Sequence, residues 1–172
     1  MTFVQTIEVT TYYLEMRDRE ALQPRRSNHA AWQLRCAERA GTINRDFYRE
    51  VGRDWQWLDR SDWTDEQWNQ YAKRPGLETW IASIRDEPAG YFELDDQGSQ
   101  GVEIAYLGLL PASIGRGLGG PLLSAAIERA WQLGTSRVWV HTCTLDHPRA
   151  LANYLARGMQ IYQIETRPLA VV

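Results

Sequence analysis

The chain has 172 residues, enough for one ordinary domain with a sizeable core, and its composition (44% apolar, 24% charged) is globular and not disordered. A net charge of -3 and a pI near 5.6 leave no basic footprint for nucleic acid or an anionic membrane surface, and nowhere do about 18 apolar residues run together as a membrane span requires. Two cysteines, Cys36 and Cys143, make neither a disulfide framework nor a zinc pattern, so no metal is expected; the start lacks a basic stretch followed by an apolar run, so the cytoplasm is the default compartment.

Residues 3–16 alternate and are rich in Val, Ile, Thr and Tyr, which predicts a strand. Residues 30–51 read as helical, with a break at Gly41-Thr42. Four of the eight tryptophans (Trp55, Trp57, Trp63, Trp68) follow closely, ordinarily the mark of a packing cluster. Thr64-Asp65-Glu66-Gln67 is a capping box opening a helix to about Lys73. After the Pro75-Gly76 turn come strands over 78–85, 89–94 and 102–110, joined by turn-forming residues into an antiparallel meander. Leu122, Leu123, Ala126, Ile127 and Ala130 place a helix over 118–133, closed by Gly134. A strand over 136–145, a helix over 147–157 stopped by Gly158, and a strand over 159–166 complete the series. With no repeat and no Gly-, Ser- or Pro-rich linker, residues 1–172 read as a single domain, an α/β sandwich on a mixed sheet.

The segment Leu107–Leu123, LGLLPASIGRGLGGPLL, concentrates the chemistry. A strand ends at Pro111, a glycine-rich turn follows, and a helix begins at once. Such a turn leaves backbone N–H groups pointing outward at the positive end of a helix, an arrangement that suits phosphate. Gly115, Gly117, Gly119 and Gly120 let a ligand approach the backbone around Leu118, and Arg116 adds charge. Gly115 to Gly120 formally satisfies the dinucleotide fingerprint G-x-G-x-x-G, but only about 50 residues remain after it, too few for the series of βαβ units that fold needs. A glycine-rich connection without any ligand is the plain alternative.

Leu109-Leu110-Pro111 followed by Ile114-Gly115-Arg116-Gly117-Leu118-Gly119 resembles the cofactor motif of the GNAT superfamily of N-acyltransferases. His147-Pro148-Arg149-Ala150-Leu151-Ala152-Asn153-Tyr154, then Gly158-Met159, is similar to that family's second signature, in the right order and with a strand between. Ile114 stands where the family has Gln or Arg, His147 where it has Asn, and Asn153 where it has Leu. The resemblance implies a GNAT-like mixed, mostly antiparallel central sheet flanked by helices, and direct transfer of an acetyl group from the co-substrate acetyl-CoA to an amine, with no metal. It implies that backbone groups of Leu107 and Leu109 hold the pantetheine arm, with the Leu109 N–H on the thioester carbonyl. Gly115–Gly120 and His147 then contact the cofactor, and Tyr154 is the general acid.

Glu103, six residues before Leu109, matches the catalytic glutamate of histone-acetylating members and is the candidate base; an outward-facing or merely orienting carboxylate is the other reading. Tyr154 as a packing aromatic, His141 as a structural histidine and Cys143 as an inert thiol are the corresponding plain readings. In the family the amine site is built by the first two helices and their connection. Here that region is aromatic and acidic, so Trp55, Trp57 and Asp54 are candidate contacts for a small amine or an exposed amino terminus; a solvated helix face is the alternative. A catalytically silent acyl-CoA-binding module is the competing function. The tail after Gly158 is short for a terminal hairpin, which leaves a sheet edge lacking a strand or completed by another subunit in a homodimer.

Overall fold

The structure, a computed structural model, describes residues 5–171. Its strands are β1 (Gln5–Met16), β2 (Trp32–Cys36), β3 (Leu77–Ile84), β4 (Glu87–Asp96), β5 (Val102–Leu109), β6 (Val138–Cys143) and β7 (Gln160–Val171). They form one sheet in the order β2-β3-β4-β5-β6-β1-β7, antiparallel throughout except between β5 and β6. The α-helices among the described residues are α1 (Gly41–Gly52), α2 (Asp65–Ala72), α3 (Gly119–Gln132) and α4 (Ala150–Ala156).

Strand alternation divides the side chains between two faces. Leu14, Phe92, Leu94, Ile104, Val138 and Val140 point to one, where Leu122, Leu123 and Ile127 of α3 and Tyr154 of α4 bury them. Each such aliphatic side chain contributes about 1.5–3 kcal/mol on full burial. On the opposite face Tyr48 of α1 and Trp68 and Tyr71 of α2 pack on Leu77, with Tyr106 of β5 against them. The amphipathic spacing of α1 (Asn44, Tyr48, Val51) produces this second layer, and the Asn69 side chain of α2 caps its first turn at the Gly41 N–H, 3.0 Å.

Three expectations are revised. Residues 30–36 are not helical: Trp32–Cys36 pairs with β3 as an edge strand, and α1 begins at the anticipated break, Gly41. The helix-forming residues there yield to sheet pairing, with Trp32 and Leu34 packed on the α3 side. Helix α4 begins at Ala150, because His147, Pro148 and Arg149 form a turn closed by the Ala150 N–H on the His147 carbonyl, 2.9 Å. The third concerns the short tail. β7 runs on to Val171, and the place between β6 and β7 is filled by the chain's own N-terminal strand, antiparallel to both. Residues 3 and 4 of the anticipated first strand lie outside the described residues. The Thr64–Gln67 capping box is present as expected.

Candidate active site

The parallel pairing of β5 and β6 holds at Val102–Val138 and Glu103–Trp139 and then ends. Beyond it the strands part, and a continuous cleft of about 1370 Å³ runs through the gap. On the β4 side the Leu110 N–H donates to the Ala89 carbonyl at 2.8 Å. Alternation of the antiparallel ladder therefore turns the Leu109 and Leu107 N–H groups away from β4 and into the gap. Both residues line the cleft, as expected.

At the α3 end of the cleft lies the glycine turn. Gly115 (φ 81°) and Gly117 (φ 73°) are left-handed, a conformation costly for residues with a Cβ. Helix α3 has no side-chain cap on its first turn, so its N–H groups are open to a ligand. Gly115, Gly117, Leu118, Gly119 and Gly120 all line the cleft, whereas Arg116 is exposed on the turn and does not. The cations come from elsewhere. A Cβ on Gly120 would lie 2.5 Å from Arg157 Nη1 and 2.7 Å from Arg25 Cδ, so both side chains close over this glycine. Among the described residues the buried Nε and Nη1 of Arg157 have no partner, and burial, with Arg25 beside it, pulls its pKa below the ordinary value. An open helix start with two arginines and orphaned N–H groups fits a polyphosphate ligand such as that of an acyl-CoA. Arg25 is delivered by the β1–β2 connection, whose backbone N–H binds the buried Ser124 hydroxyl of α3 at 2.9 Å. The Asn153 side-chain amide donates to the Gly119 carbonyl, 3.1 Å, and so ties α4 to the turn.

Tyr154 reaches the cleft from the α3–α4 face; it is buried, and burial together with the Asp146 charge raises its pKa far above the ordinary phenol range. Glu103 reaches the cleft from the opposite face, at the last paired residue before the strands part. A bulge at Ala105 places Glu103 and Tyr106, three residues apart, on that same face. Burial raises the Glu103 pKa, against the lowering effect of His141, whose Nε2 lies 3.8 Å from Oε1; Gln97 Nε2 donates to Oε2 at 2.8 Å. His141 thus belongs to the cleft. Cys143 does too, but burial raises its thiol pKa, which disfavours the thiolate.

The connection between α1 and α2 closes the far end of the gap. Trp57 Nε1 donates to Asp146 Oδ1 at 3.3 Å, and the Trp55 ring meets the His147 ring edge-on at 4.9 Å. His147, Trp55 and Trp57 therefore line the cleft, while Trp68 is buried and Trp63 packs against it. Asp54 is not brought there: it is exposed, beside Arg53 at 3.8 Å. Its place is taken by Asp59, which accepts from the Tyr48 and Tyr106 hydroxyls at 2.8 and 2.6 Å. Arg60, Tyr71, Arg74 and Asp95 complete this half. These residues carry no motif. For Asp59, Arg60 and Tyr71 the one sequence signal is the density of aromatic and charged residues between Trp55 and Tyr71.

Residues 37–159 match the sequence profile of the Acetyltransferase (GNAT) family. The chain belongs to that family. The match takes in both the glycine turn and the Tyr154 helix, and the family is one of acetyltransferases. Among solved structures, a GCN5-related N-acetyltransferase from Sphaerobacter thermophilus superposes with a TM-score of 0.71 at 15% identity, over 97% of this chain and 53% of that one. A GCN5-related N-acetyltransferase from Kribbella flavida gives 0.67 at 15% identity, over 96% and 59%. A tandem GNAT protein from the clavulanic acid biosynthesis pathway gives 0.61 at 15% identity, over 95% and 53%. The chain thus spans little more than half the length of each of these proteins, and at such identity the likeness is one of fold. No curated protein matches. No helix among the described residues is long and apolar enough to cross a membrane.

Proposed function

We propose that this GNAT domain is an acetyl-CoA-dependent N-acetyltransferase that acetylates a primary amine by direct transfer, with Glu103 as base and Tyr154 as acid. The observation that carries the reading is the placement of Glu103 and Tyr154 on opposite faces of the sheet at one gap between strands. The glycine turn, Arg25 and Arg157 bind the phosphates, and the Leu107 and Leu109 backbone holds the pantetheine arm. The Leu109 N–H polarises the thioester carbonyl. Glu103 takes the ammonium proton, its burial making it a stronger base than an ordinary carboxylate. The amine nitrogen then bonds to the carbonyl carbon as the C–S bond breaks, Tyr154 supplies the proton to the departing thiolate, and the second proton that the nitrogen sheds as the amide forms passes through solvent water and restores the Tyr154 phenol. Both faces of the gap must be occupied together, so the reaction needs no acylated protein intermediate.

The test is thiol release from acetyl-CoA across a panel of primary amines. Amine-dependent release with one acetyl group per thiol supports the proposal; tight acetyl-CoA binding without turnover of any amine identifies a silent binding module instead. Gly120→Ala bears on the cofactor half. The added Cβ pushes the Arg157 and Arg25 side chains from their positions over the turn, and these are flexible ends that can move without unfolding the chain. Acetyl-CoA affinity is expected to fall about 10- to 100-fold, the loss of one or two charge-assisted bonds. Calorimetric titration measures it.

A further inference from the structure

We infer that the acceptor amine also carries a carboxylate, as an amino acid does, and that Arg60 is the residue that reads it; this rests on the N-acetyltransferase reading above. Most ionic groups in the half of the cleft that faces α1 and α2 are already partnered. Asp59 accepts two tyrosine hydroxyls and keeps its negative charge, with Arg60 Nε 4.0 Å away. Asp95 accepts Arg74 Nη2 on both oxygens, at 3.1 and 3.0 Å, which also accounts for the Arg74 charge. Glu103 gives one oxygen to Gln97 and turns the other toward His141 at 3.8 Å.

Arg60 is different. Its closest carboxylate oxygen is Asp59 Oδ2, 4.0 Å from Nε, and that oxygen already takes the Tyr106 hydroxyl. The guanidinium is held among the rings of Tyr71 (4.1 Å), Trp63 (4.4 Å) and Tyr106 (4.8 Å), and its buried Nη1 has no partner among the described residues. Glu93 lies behind Tyr71, but its two oxygens are taken by the Tyr71 hydroxyl and the Asn44 amide, both at 2.6 Å. Arg60 nonetheless lines the cleft and keeps 17% of its side chain exposed.

Facing the acceptor with hydrogen-bonding capacity to spare are a carboxylate oxygen of Glu103 and, beside the anionic Asp59, the Arg60 guanidinium. A ligand with an ammonium group at the first and a carboxylate at the second matches this pair, and Arg is the side chain suited to planar recognition of a carboxylate. An acceptor that is purely cationic, such as a diamine or polyamine, would bring a positive charge against a guanidinium that no protein carboxylate pairs closely.

The experiment compares amino acids with the amines they yield on loss of the carboxylate: phenylalanine with phenethylamine, histidine with histamine, lysine with cadaverine. In the best pair, kcat/KM for the acid member is expected to exceed that of the amine about 10- to 100-fold, the range for a hydrogen bond to a charged group. Arg60→Gln brings the ratio toward one and Arg60→Lys leaves it in between, with calorimetric binding of acetyl-CoA reporting that each variant is folded. A second readout needs neither turnover nor a variant. The CoA-loaded protein binds the N-acetylated acid of a pair at least about tenfold more tightly than the N-acetylated amine, by titration. Equal or reversed preference in turnover, together with equal product binding, overturns the inference while leaving N-acetyl transfer intact. Failure to acetylate any member of any pair, with acetyl-CoA bound, counts against the activity, and product binding then decides the carboxylate site by itself.

Discussion

Replacing Tyr154 by phenylalanine is expected to lower kcat about 10²- to 10⁴-fold, the contribution typical of a positioned general acid, with little change in acetyl-CoA affinity. The substitution isolates one atom. The ring is part of the buried core cluster on the α3 side and is kept, and among the described residues the hydroxyl has no hydrogen-bond partner to be orphaned. Thermal stability should therefore hold, which separates this outcome from the loss of a packing aromatic. The pKa shift keeps the phenol protonated but also makes it a weaker acid than an ordinary tyrosine. Burial and the Asp146 carboxylate hold the phenol protonated well beyond the ordinary range, so it can donate a proton but cannot serve as a base near neutral pH. Steady-state turnover beside a melting curve is the check. A kcat within about threefold of the unsubstituted protein would make water the proton donor and Tyr154 a wall of the cleft.

How much of this is legible in the sequence depends on the range of the forces involved. The glycine turn, the Thr64 capping box and the helix of Leu122, Ala126 and Ile127 are set by local backbone geometry and short periodicities, and they stand where the residues place them. Residues 30–36 read wrongly as helix because Ala, Gln, Leu and Arg favour a helix locally, while the pairing of Trp32 with Ile84 that decides the matter joins distant segments. The same applies toward the other end of the sheet, where the strand missing from the tail is supplied by Gln5–Met16, between β6 and β7.

In the site, motif positions and cavity positions diverge. Leu107, Leu109, the glycines, Glu103 and Tyr154 line one cleft, as the family resemblance implies. Arg116 sits within the motif but faces solvent, while Arg25 and Arg157 arrive from distant segments to supply the charge expected of it. Likewise Asp54 and Asp59 are indistinguishable in an acidic loop. Only the fold, by setting the Tyr48 and Tyr106 hydroxyls beside Asp59, selects between them.

Glu103→Gln is the second large effect, expected to lower kcat/KM about 10²-fold or more and to change the shape of its pH profile. In the unsubstituted protein kcat/KM should rise with pH as the Glu103 carboxyl ionises, at a pKa above the usual carboxylate value because burial outweighs the His141 and Gln97 contacts. The glutamine variant loses that rise and keeps only the one due to the amine itself. Stability gives an independent reading of the same group. A carboxyl whose folded pKa is raised contributes stability that is fully present below its unfolded pKa and lost as pH climbs through the folded one. The variant, which does not titrate, should therefore gain on the unsubstituted protein in melting temperature over that window, from the ordinary carboxylate value upward. His141, on the neighbouring strand and half-exposed to the same cleft, is the group to examine if the activity result fails. A Glu103→Gln protein that retains the low-pH rise would assign the base to His141 or to water, and Glu103 would then orient the amine without taking its proton.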